Sequence, residues 1–413
     1  MENVKRKPAS RIARSEQLEK RKYIVKKLIY KENEIMIFLH SSDWHLGASE
    51  GEQFFWEDQR FFIDEICRII QERNVDAVLL AGDVYDRSVA SAAAIGLYDY
   101  AMNRICRELG RKVLAIAGNH DSAERLAACG ALLEQAGLYV VGAAEREPKA
   151  LELGDTQVFF LPWITEEKVK SLYSEEKDSV SCLTDAYRVA AGHMRERFVP
   201  GKKHIVLSHA FITNAETSTS DRAAEIGFAT QVSADVFCGF DYVALGHIHK
   251  PQAVNEYIRY SGSPMPYSFG KEEKQTKSVV LLNTETMAQE LVPLPLLHRR
   301  ATLTGTHEEL LNAAYPEEIR NGYVRLNVTD TALGLELISR LREIYPHALV
   351  LSGKSYEGDE TTITLTMEQL EQMERDPLEV FKSFCREETA EEATPHFLEL
   401  FTRAVNACEE AER

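Results

Sequence analysis

The stretch VLLAGDVYDRS, residues 78–88, decides the fold, and its outline recurs along the chain. It is an apolar, β-type run that ends in a small residue followed at once by an acidic side chain. Four other runs end in a polar residue that can bind a metal: FLHSSD at 38–43, LAIAGN at 114–119, IVLSH at 205–209 and VALGH at 243–247. Buried strands that end this way place their polar residues together at the carboxyl edge of a sheet. The pattern therefore predicts one cluster built from five loops.

The apolar runs alternate with helical patterns, which is typical of an α/β protein. Residues 54–70, FFWEDQRFFIDEICRII, carry apolar side chains every three to four positions, as an amphipathic helix does. A connector punctuated by proline, LVPLPLLHRR, follows at 291–300. Beyond it the helix and strand patterns continue without clustered His or Asp, which indicates a second, smaller α+β domain.

We expect four segments: a basic extension at 1–35, a main domain at 36–292, the α+β domain at 298–370 and a helical segment at 376–413. The extension has eleven Lys or Arg against five Glu, and we expect it to be disordered or loosely helical. Asp376-Pro377 and Thr394-Pro395 are each typical of a helix start. The last helix places Phe397, Phe401, Val405 and Cys408 on one face, either to pack on its own domain or to bind a partner.

Composition excludes several classes of protein. The chain has 413 residues, 44% hydrophobic and 27% charged, which is ordinary for a soluble globular protein of two or three domains. Without an apolar run of about 20 residues, we expect a cytosolic protein. The seven cysteines are scattered and never form a C-x-x-C pair, which argues against a disulfide framework and a zinc–thiolate site. The net charge of −17 disfavours DNA binding by the chain's own surface, unless bound cations or a partner subunit offset it.

The predicted cluster mixes carboxylate, imidazole and amide groups. Its members are Asp43, His45, Asp83, Asn119, His120, Asp121, His209, His247 and His249. Such donors suit borderline divalent ions such as Mn²⁺, Fe²⁺ or Zn²⁺, and we expect Mn²⁺. The set is too large for one tetrahedral ion but suits two ions held about 3.5–4 Å apart. Asp or Asn after a strand can also be a simple turn residue, but that explanation does not account for His209, His247 and His249.

The order D-x-H, G-D, G-N-H-D, S-H, G-H-x-H is similar to that of calcineurin-like metallophosphoesterases. This resemblance implies a β-sandwich flanked by helices and two metal ions. It implies that Asp43, His45 and His249 hold the first ion, that Asn119, His209 and His247 hold the second, and that Asp83 bridges them. His120 would stabilise the transition state and protonate the departing oxygen. Asp121 would either orient the His120 imidazole or stabilise the turn.

Within this superfamily the chain resembles the SbcD family of DNA repair nucleases. The segments that carry this likeness are HSSDWHLG (40–47), LLAGDVYDRS (79–88), IAGNHDS (116–122), ETSTSDRAAEIG (216–227), ALGHIHKPQ (244–252) and YSGSPMPYSFGKEEK (260–274). The family implies exonuclease and endonuclease action on DNA and a homodimer formed through helices at about 54–72 and 90–108. It also implies a partner ATPase of the SbcC type, with a long coiled coil, docked on the terminal helices. Some relatives have His in place of Asp86, so Asp86 is assigned no catalytic role.

Two alternatives to a nuclease remain open. The same metals would serve a phosphoesterase acting on a phosphoprotein, a cyclic nucleotide or a nucleotide, although GNHD and DRS differ from the GNHE and DRG of the protein phosphatases. A non-catalytic scaffold would usually have lost ligands, and all seven positions are filled. A dinucleotide-binding protein is excluded because no G-x-G-x-x-G follows the first strand.

Overall fold

The structure is a computed structural model that describes residues 35–51, 53–218, 220–221, 231–312, 315–354, 362–366, 378, 381–382, 385 and 394–411. The predicted basic extension lies outside these ranges except for Ile35, as does most of the helix expected after Asp376. The described residues divide into two compact units. The first comprises residues up to 47, 59–265 and 275–295, and the second comprises 48–58, 266–274 and residues from 296 onwards.

The strands follow one another along the chain as β1 Ile37–Ser41, β2 Ser49–Glu50, β3 Gln53–Phe54, β4 Ala77–Ala81, β5 Lys112–Ile116, β6 Leu138–Val141, β7 Ala150–Leu153, β8 Thr156–Leu161, β9 Lys203–His209, β10 Phe211–Ile212, β11 Gln231–Val232, β12 Tyr242–Gly246, β13 Gln252–Ala253, β14 Ile258–Tyr260, β15 Ser278–Asn283, β16 Gln289–Pro293, β17 Arg300–Gly305, β18 Tyr323–Val328, β19 Ala348–Lys354 and β20 Thr362–Thr366.

The helices are α1 Trp56–Glu72, α2 Ala92–Met102, α3 Ala123–Leu126, α4 Gly130–Leu133, α5 Glu166–Leu172, α6 Leu183–Arg195, α7 His307–Asn312, α8 Glu317–Arg320, α9 Leu335–Ile344 and α10 Pro395–Ala411. Their starts follow ordinary capping rules. Ser91 accepts the Ala94 N–H at the start of α2, and Glu57 and Asp58 lie in the first turn of α1, where negative charge is favourable. The predicted start of the last helix at Thr394-Pro395 is confirmed.

Two six-stranded sheets form a sandwich in the first unit. Their strand orders are β16-β15-β1-β4-β5-β6 and β13-β14-β12-β9-β8-β7. In the first sheet β1, β4, β5 and β6 run parallel, and β15 and β16 form antiparallel pairs at one side. In the second sheet β14, β12, β9 and β8 run parallel, and β13 and β7 are antiparallel at the two edges. Strand β4, AVLLA, is buried along its whole length, as expected for a parallel strand covered on both faces. Parallel strands bring all their carboxyl ends to one edge, so this topology positions the site.

Apolar side chains of both sheets fill the space between them, among them Phe38, Leu79, Phe160 and Leu207. Helices α5 and α6 cover the outer face of the second sheet, where Tyr187 belongs to a second apolar cluster. The predicted sandwich flanked by helices is therefore present.

The second unit contains a separate four-stranded sheet. Its order is β17-β18-β19-β20, with the first three strands parallel and β20 antiparallel. Leu310 on α7 and Leu341 on α9 pack with strand residues such as Leu326 in one apolar cluster. The helices and strands expected for a small α+β domain are thus observed.

Candidate metal centre

All nine residues of the predicted cluster lie at the carboxyl edges of the two sheets in the first unit. They follow β1, β4, β5 and β12 or end β9, as their positions in the sequence predict. Asp43 and His209 are fully buried, and His45, Asp83, His247 and His249 are nearly so. Asn119 and His120 retain partial exposure. The cluster is thus enclosed by protein but open on the side of His120.

Four of the cluster residues have left-handed backbone. The φ angles are 53° at Asp43, 41° at His45, 50° at Asp83 and 98° at His247. This conformation costs a non-glycine residue on the order of 1–3 kcal/mol and is found where the surrounding structure enforces it. Backbone bonds enforce it here, because Asp43 donates to the Gly82 carbonyl and His45 to the Asp83 carbonyl, each at 3.0 Å. Such strain is typical of functional sites.

Glycines before the ligands allow the loops to approach one another closely. A Cβ atom on Gly118 would lie 2.1 Å from Asp83 Oδ1, and one on Gly246 would lie 2.0 Å from the Ala81 carbonyl oxygen. At Gly118 and Gly246, the small residue that precedes a ligand is thus required by this packing.

Asp43, His45 and His249 form the first group of potential metal ligands. One donor atom from each lies within 4.8 Å of the other two. The two imidazoles point Nε2 at each other at 3.0 Å. The Asp43 carboxylate accepts hydrogen bonds from the Ser42 hydroxyl and from the His247 N–H, which fix its orientation. These are the three residues that the family resemblance implied for one ion.

Asn119, His209 and His247 form the second group. The Asn119 Oδ1 atom lies 3.0 Å from His209 Nε2 and 3.0 Å from His247 Nδ1. The other nitrogen of His209, Nδ1, donates to the Ala81 carbonyl at 2.7 Å, which directs Nε2 into the cluster. These are the three residues implied for the other ion.

Asp83 lies between the two groups. Its Oδ2 atom is 3.3 Å from His209 Nε2 and 3.7 Å from His45 Nε2, and its Oδ1 accepts the His120 N–H at 2.9 Å. Oxygen and imidazole donors thus converge on two neighbouring points with one carboxylate shared between them. The residues present fit two borderline divalent ions.

Charge is distributed unequally over these groups. Burial alone would raise the pKa of Asp83, but the neighbouring His209 and His120 hold that pKa well below its ordinary value. Asp83 in turn overcomes the effect of burial on His209 and raises its pKa to about 9. Burial lowers the pKa of His247 to about 3 and that of His45 well below 6.5. These two imidazoles are therefore neutral at pH 7, the form that binds a metal, whereas His209 carries a proton that it would release to a bound ion.

His120 stands beside the ligand groups. Its Nδ1 donates to the Asp86 carbonyl at 2.8 Å, and its Nε2 lies 3.9 Å from Asp83 Oδ2. The Asp121 carboxylate instead accepts three backbone N–H groups, those of Val84, Tyr85 and Gly118. Of the two roles left open for Asp121, these contacts favour the structural one, because Asp121 ties two loops together while the Asp86 carbonyl contacts the His120 ring.

Other residues at the site were missed by the sequence analysis. Trp163, just after β8, stacks on the His247 ring with centroids 5.4 Å apart. Asp86, to which the sequence analysis assigned no catalytic role, has its carboxylate 3.6 Å from His45 Nδ1. Ser220 and Asp221 contact His249. Trp163 follows a strand that ends at the same edge but is not one of the polar residues that mark the pattern. The Ser-Asp pair lies in a polar loop without strand pattern.

Comparisons with known proteins agree with this geometry. The family model for calcineurin-like phosphoesterases matches residues 36–251. A second, for the Type 5 capsule protein repressor C-terminal domain, matches residues 295–389. The chain is 30% identical over 329 residues to the SbcD subunit of nuclease SbcCD from Staphylococcus epidermidis, a match that covers 79% of this chain and 87% of that protein. The chain belongs to the SbcD family of calcineurin-like phosphoesterases. The resemblance and the fold class expected from the sequence are confirmed.

Two solved structures align with part of this SbcD-family chain. TT1561 of Thermus thermophilus is 13% identical, covers 63% of this chain and 100% of its own, and gives a TM-score of 0.34. The calcineurin-like phosphoesterase YfkN of Bacillus subtilis is 10% identical. The match covers 63% of this chain and 88% of that chain, and its TM-score is 0.33. Among the described residues, no helix has the length and apolar character that crossing a membrane requires.

Proposed function

We propose that this chain is a Mn²⁺-dependent DNA exonuclease and endonuclease, and the nuclease subunit of an ATP-dependent complex of the SbcCD type. Membership of the SbcD family supports a nuclease. The observation that carries the proposal is the filled set of seven ligands in two groups that share Asp83. A scaffold without catalytic function would have no need of this strained, buried cluster.

Asp43, His45 and His249 would hold one ion, Asn119, His209 and His247 the other, and Asp83 both. When bound, the ions would neutralise the phosphate oxygens and make hydroxide available near neutral pH. The mixed imidazole, carboxylate and amide donors disfavour Mg²⁺, which favours a set made of oxygen alone, and suit Mn²⁺, Fe²⁺ or Zn²⁺. Among these three ions we propose Mn²⁺.

His120 would supply the proton that the leaving group needs. Hydrolysis joins a water oxygen to phosphorus and breaks the bond to the leaving oxygen, which must be protonated to depart as an alcohol. Because Nδ1 of His120 donates to the Asp86 carbonyl, Nε2 is the atom that can exchange this proton. The partial exposure of His120 places Nε2 where a substrate can reach it.

The partners are proposed from the family and from exposed apolar side chains. Phe397 and Leu400 on α10 are 56% and 45% exposed, which supports this helix as a docking site for an SbcC-like coiled-coil ATPase. Ile95 on α2 is 51% exposed, and Val89, three residues before this helix, is 68% exposed; α2 is one of the two helices expected to form a homodimer. A DNA substrate would place the complex in the cytosol.

The alternative is a calcineurin-like phosphoesterase that acts on a phosphoester other than DNA. The metal centre serves both substrates, and the net charge of −17 is unfavourable for DNA. We favour the nuclease because the likeness to the SbcD subunit of nuclease SbcCD extends over most of the chain.

Hydrolysis of a substrate panel tests the proposal. Linear and hairpin DNA, p-nitrophenyl phosphate esters and a phosphopeptide would each be incubated with purified protein and Mn²⁺ or Mg²⁺. His120→Ala is the test variant, and His193→Ala, a surface histidine held by Glu176, is the matched control. We expect cleavage of DNA that requires Mn²⁺ and His120 but not His193. Activity confined to the small esters or the phosphopeptide would favour the alternative.

A further inference from the structure

His249 is held from three sides by residues that are not metal ligands. Its ring contacts Ser220, its N–H contacts Asp221 and its carbonyl contacts Lys277. Asp221 is 4% exposed and Lys277 is 1% exposed, so both charged groups are buried at this point. Buried charges are costly unless they are paired and hydrogen-bonded, which makes this arrangement a built feature of the site.

The contact with Ser220 bears on the proton of the His249 ring. Ser220 Oγ lies 2.6 Å from Nδ1, and the Asp221 carboxylate lies 3.7 Å from the same nitrogen. A proton on Nδ1 can be donated to the hydroxyl oxygen and is attracted by the carboxylate. That tautomer leaves the lone pair on Nε2, which faces His45 Nε2 at 3.0 Å.

Asp221 also fixes the main chain of this ligand. Its Oδ1 accepts the His249 N–H at 3.0 Å, while its Oδ2 accepts the Ser218 N–H. On the other side, the His249 carbonyl accepts from Lys277 Nζ at 3.0 Å and from the Ser263 N–H at 3.2 Å. Rotation of this peptide segment would break several bonds, so the direction of the ring is set in advance of binding.

His209 obtains the same kind of support differently. Its Nδ1 donates to the main-chain carbonyl of Ala81 at the end of β4, so a side-chain substitution cannot remove the bond. His249 relies on two side chains from a loop. Its orientation is therefore open to mutation without changing a ligand.

We propose that Ser220 and Asp221 are positioning residues that hold His249 in the tautomer and orientation required by the first ion. This inference rests on the proposed ligand groups. Loss of such a partner typically lowers metal affinity about 10- to 100-fold. Asp221→Asn and Ser220→Ala should therefore lower the affinity for one of the two ions by about this factor and leave the affinity for the other unchanged.

The experiment is a Mn²⁺ titration of the metal-free full chain, with the free ion measured by electron paramagnetic resonance. The variants are Ser220→Ala, Ser220→Thr, Asp221→Asn and His249→Ala. Ser181→Ala is the matched control, because Ser181 Oγ donates to Asp185 at 2.7 Å on the exposed surface. Thermal unfolding of each protein in a chelator reports any purely structural effect. Ser220→Thr keeps the hydroxyl and should bind both ions as the unchanged chain does.

The outcomes separate this inference from the proposed function. The inference is supported if Ser220→Ala and Asp221→Asn bind one of the two ions more weakly while Ser220→Thr and Ser181→Ala bind both as the unchanged chain does. Two tight ions in Ser220→Ala and Asp221→Asn, beside one in His249→Ala, overturn the positioning role alone. A lower unfolding temperature in the chelator with unchanged Mn²⁺ affinity overturns it as well. Two tight ions in His249→Ala would overturn the ligand assignment itself.

Discussion

Asp58 and Asp83 are both carboxylates buried beside histidines, but their surroundings differ. Asp58 in the second unit accepts the His298 N–H and Nδ1–H and the Tyr323 hydroxyl at 2.7–3.1 Å, so both its oxygens are hydrogen-bonded. Asp83 in the first unit has one good backbone bond and three imidazoles at 3.3–3.9 Å from its other oxygen. It also has left-handed backbone. In this pair, the carboxylate with both oxygens hydrogen-bonded stabilises the fold, whereas the one with strained backbone and longer imidazole contacts is available to a metal.

Replacement of Asp83 should have the largest effect on metal binding and activity. Asn tolerates left-handed backbone but lacks the charge to bridge two ions, so Asp83→Asn should lose both ions and slow DNA hydrolysis by about 10³-fold or more. Asp58→Asn is the matched substitution in the other unit. We expect the Asp58→Asn variant to hydrolyse DNA as fast as the unchanged chain and to have a free energy of unfolding lower by about 1–3 kcal/mol. Rates of DNA hydrolysis and chemical denaturation check both variants. Comparable losses of activity in Asp83→Asn and Asp58→Asn would contradict the difference between the two carboxylates.

His120 sharpens the comparison because it touches Asp83 without completing a ligand group. His120→Ala should retain both ions and lose hydrolysis by roughly 10²–10⁴-fold, since a proton donor is removed but no ligand is. Bound Mn²⁺ per chain and the rate of DNA cleavage are the measurements. A variant that loses metal as Asp83→Asn does would make His120 a ligand rather than the proton donor.

The packing around Asp83 can be tested without changing any polar group. A Cβ on Gly118 would lie 2.1 Å from Asp83 Oδ1, so Gly118→Ala should displace the carboxylate and slow hydrolysis by about 10²-fold. Gly192→Ala is the control, because Gly192 lies within α6 and its added Cβ would make only an ordinary contact with the end of the Arg195 side chain at 3.9 Å. It should leave activity intact and stabilise the chain by about 0.5–1 kcal/mol. Full activity in Gly118→Ala would show that Asp83 has room to move.

The smallest expected effect is the pH dependence of the stability contributed by the hydrogen bond between Asp58 and His298. Its hydrogen bond raises the pKa of His298 above the ordinary 6.5, so the folded protein binds this proton more tightly than the unfolded chain. The stabilisation is complete below 6.5 and is lost as pH rises through the raised pKa. We expect the gap in unfolding temperature between the unchanged chain and His298→Gln to be widest near about pH 6 and to narrow by about pH 9. A difference in unfolding temperature that widens as the pH rises would contradict this prediction.

Much of this site could be predicted from the sequence, because each ligand directly follows or ends a buried strand. Parallel strands then bring Asp43 and Asp83 to one edge of the first sheet, and His209 and His247 to one edge of the second. The left-handed backbone could not be predicted, since it depends on bonds between loops distant in sequence, such as Asp43 to Gly82. Ser220 and Asp221 lie in a polar loop 28–29 residues before His249 in the chain, and only the folded structure shows the contact. The same reason hid Asp58, whose partners are about 240 and 265 residues away.

The two-ion centre is tested most directly by anomalous diffraction at the manganese edge from crystals of the chain grown with Mn²⁺. The predicted result is two peaks about 3.5–4 Å apart. One would lie among Asp43, His45 and His249, the other would lie among Asn119, His209 and His247, and both would contact Asp83. A single peak, or two peaks of which neither contacts Asp83, would contradict the account.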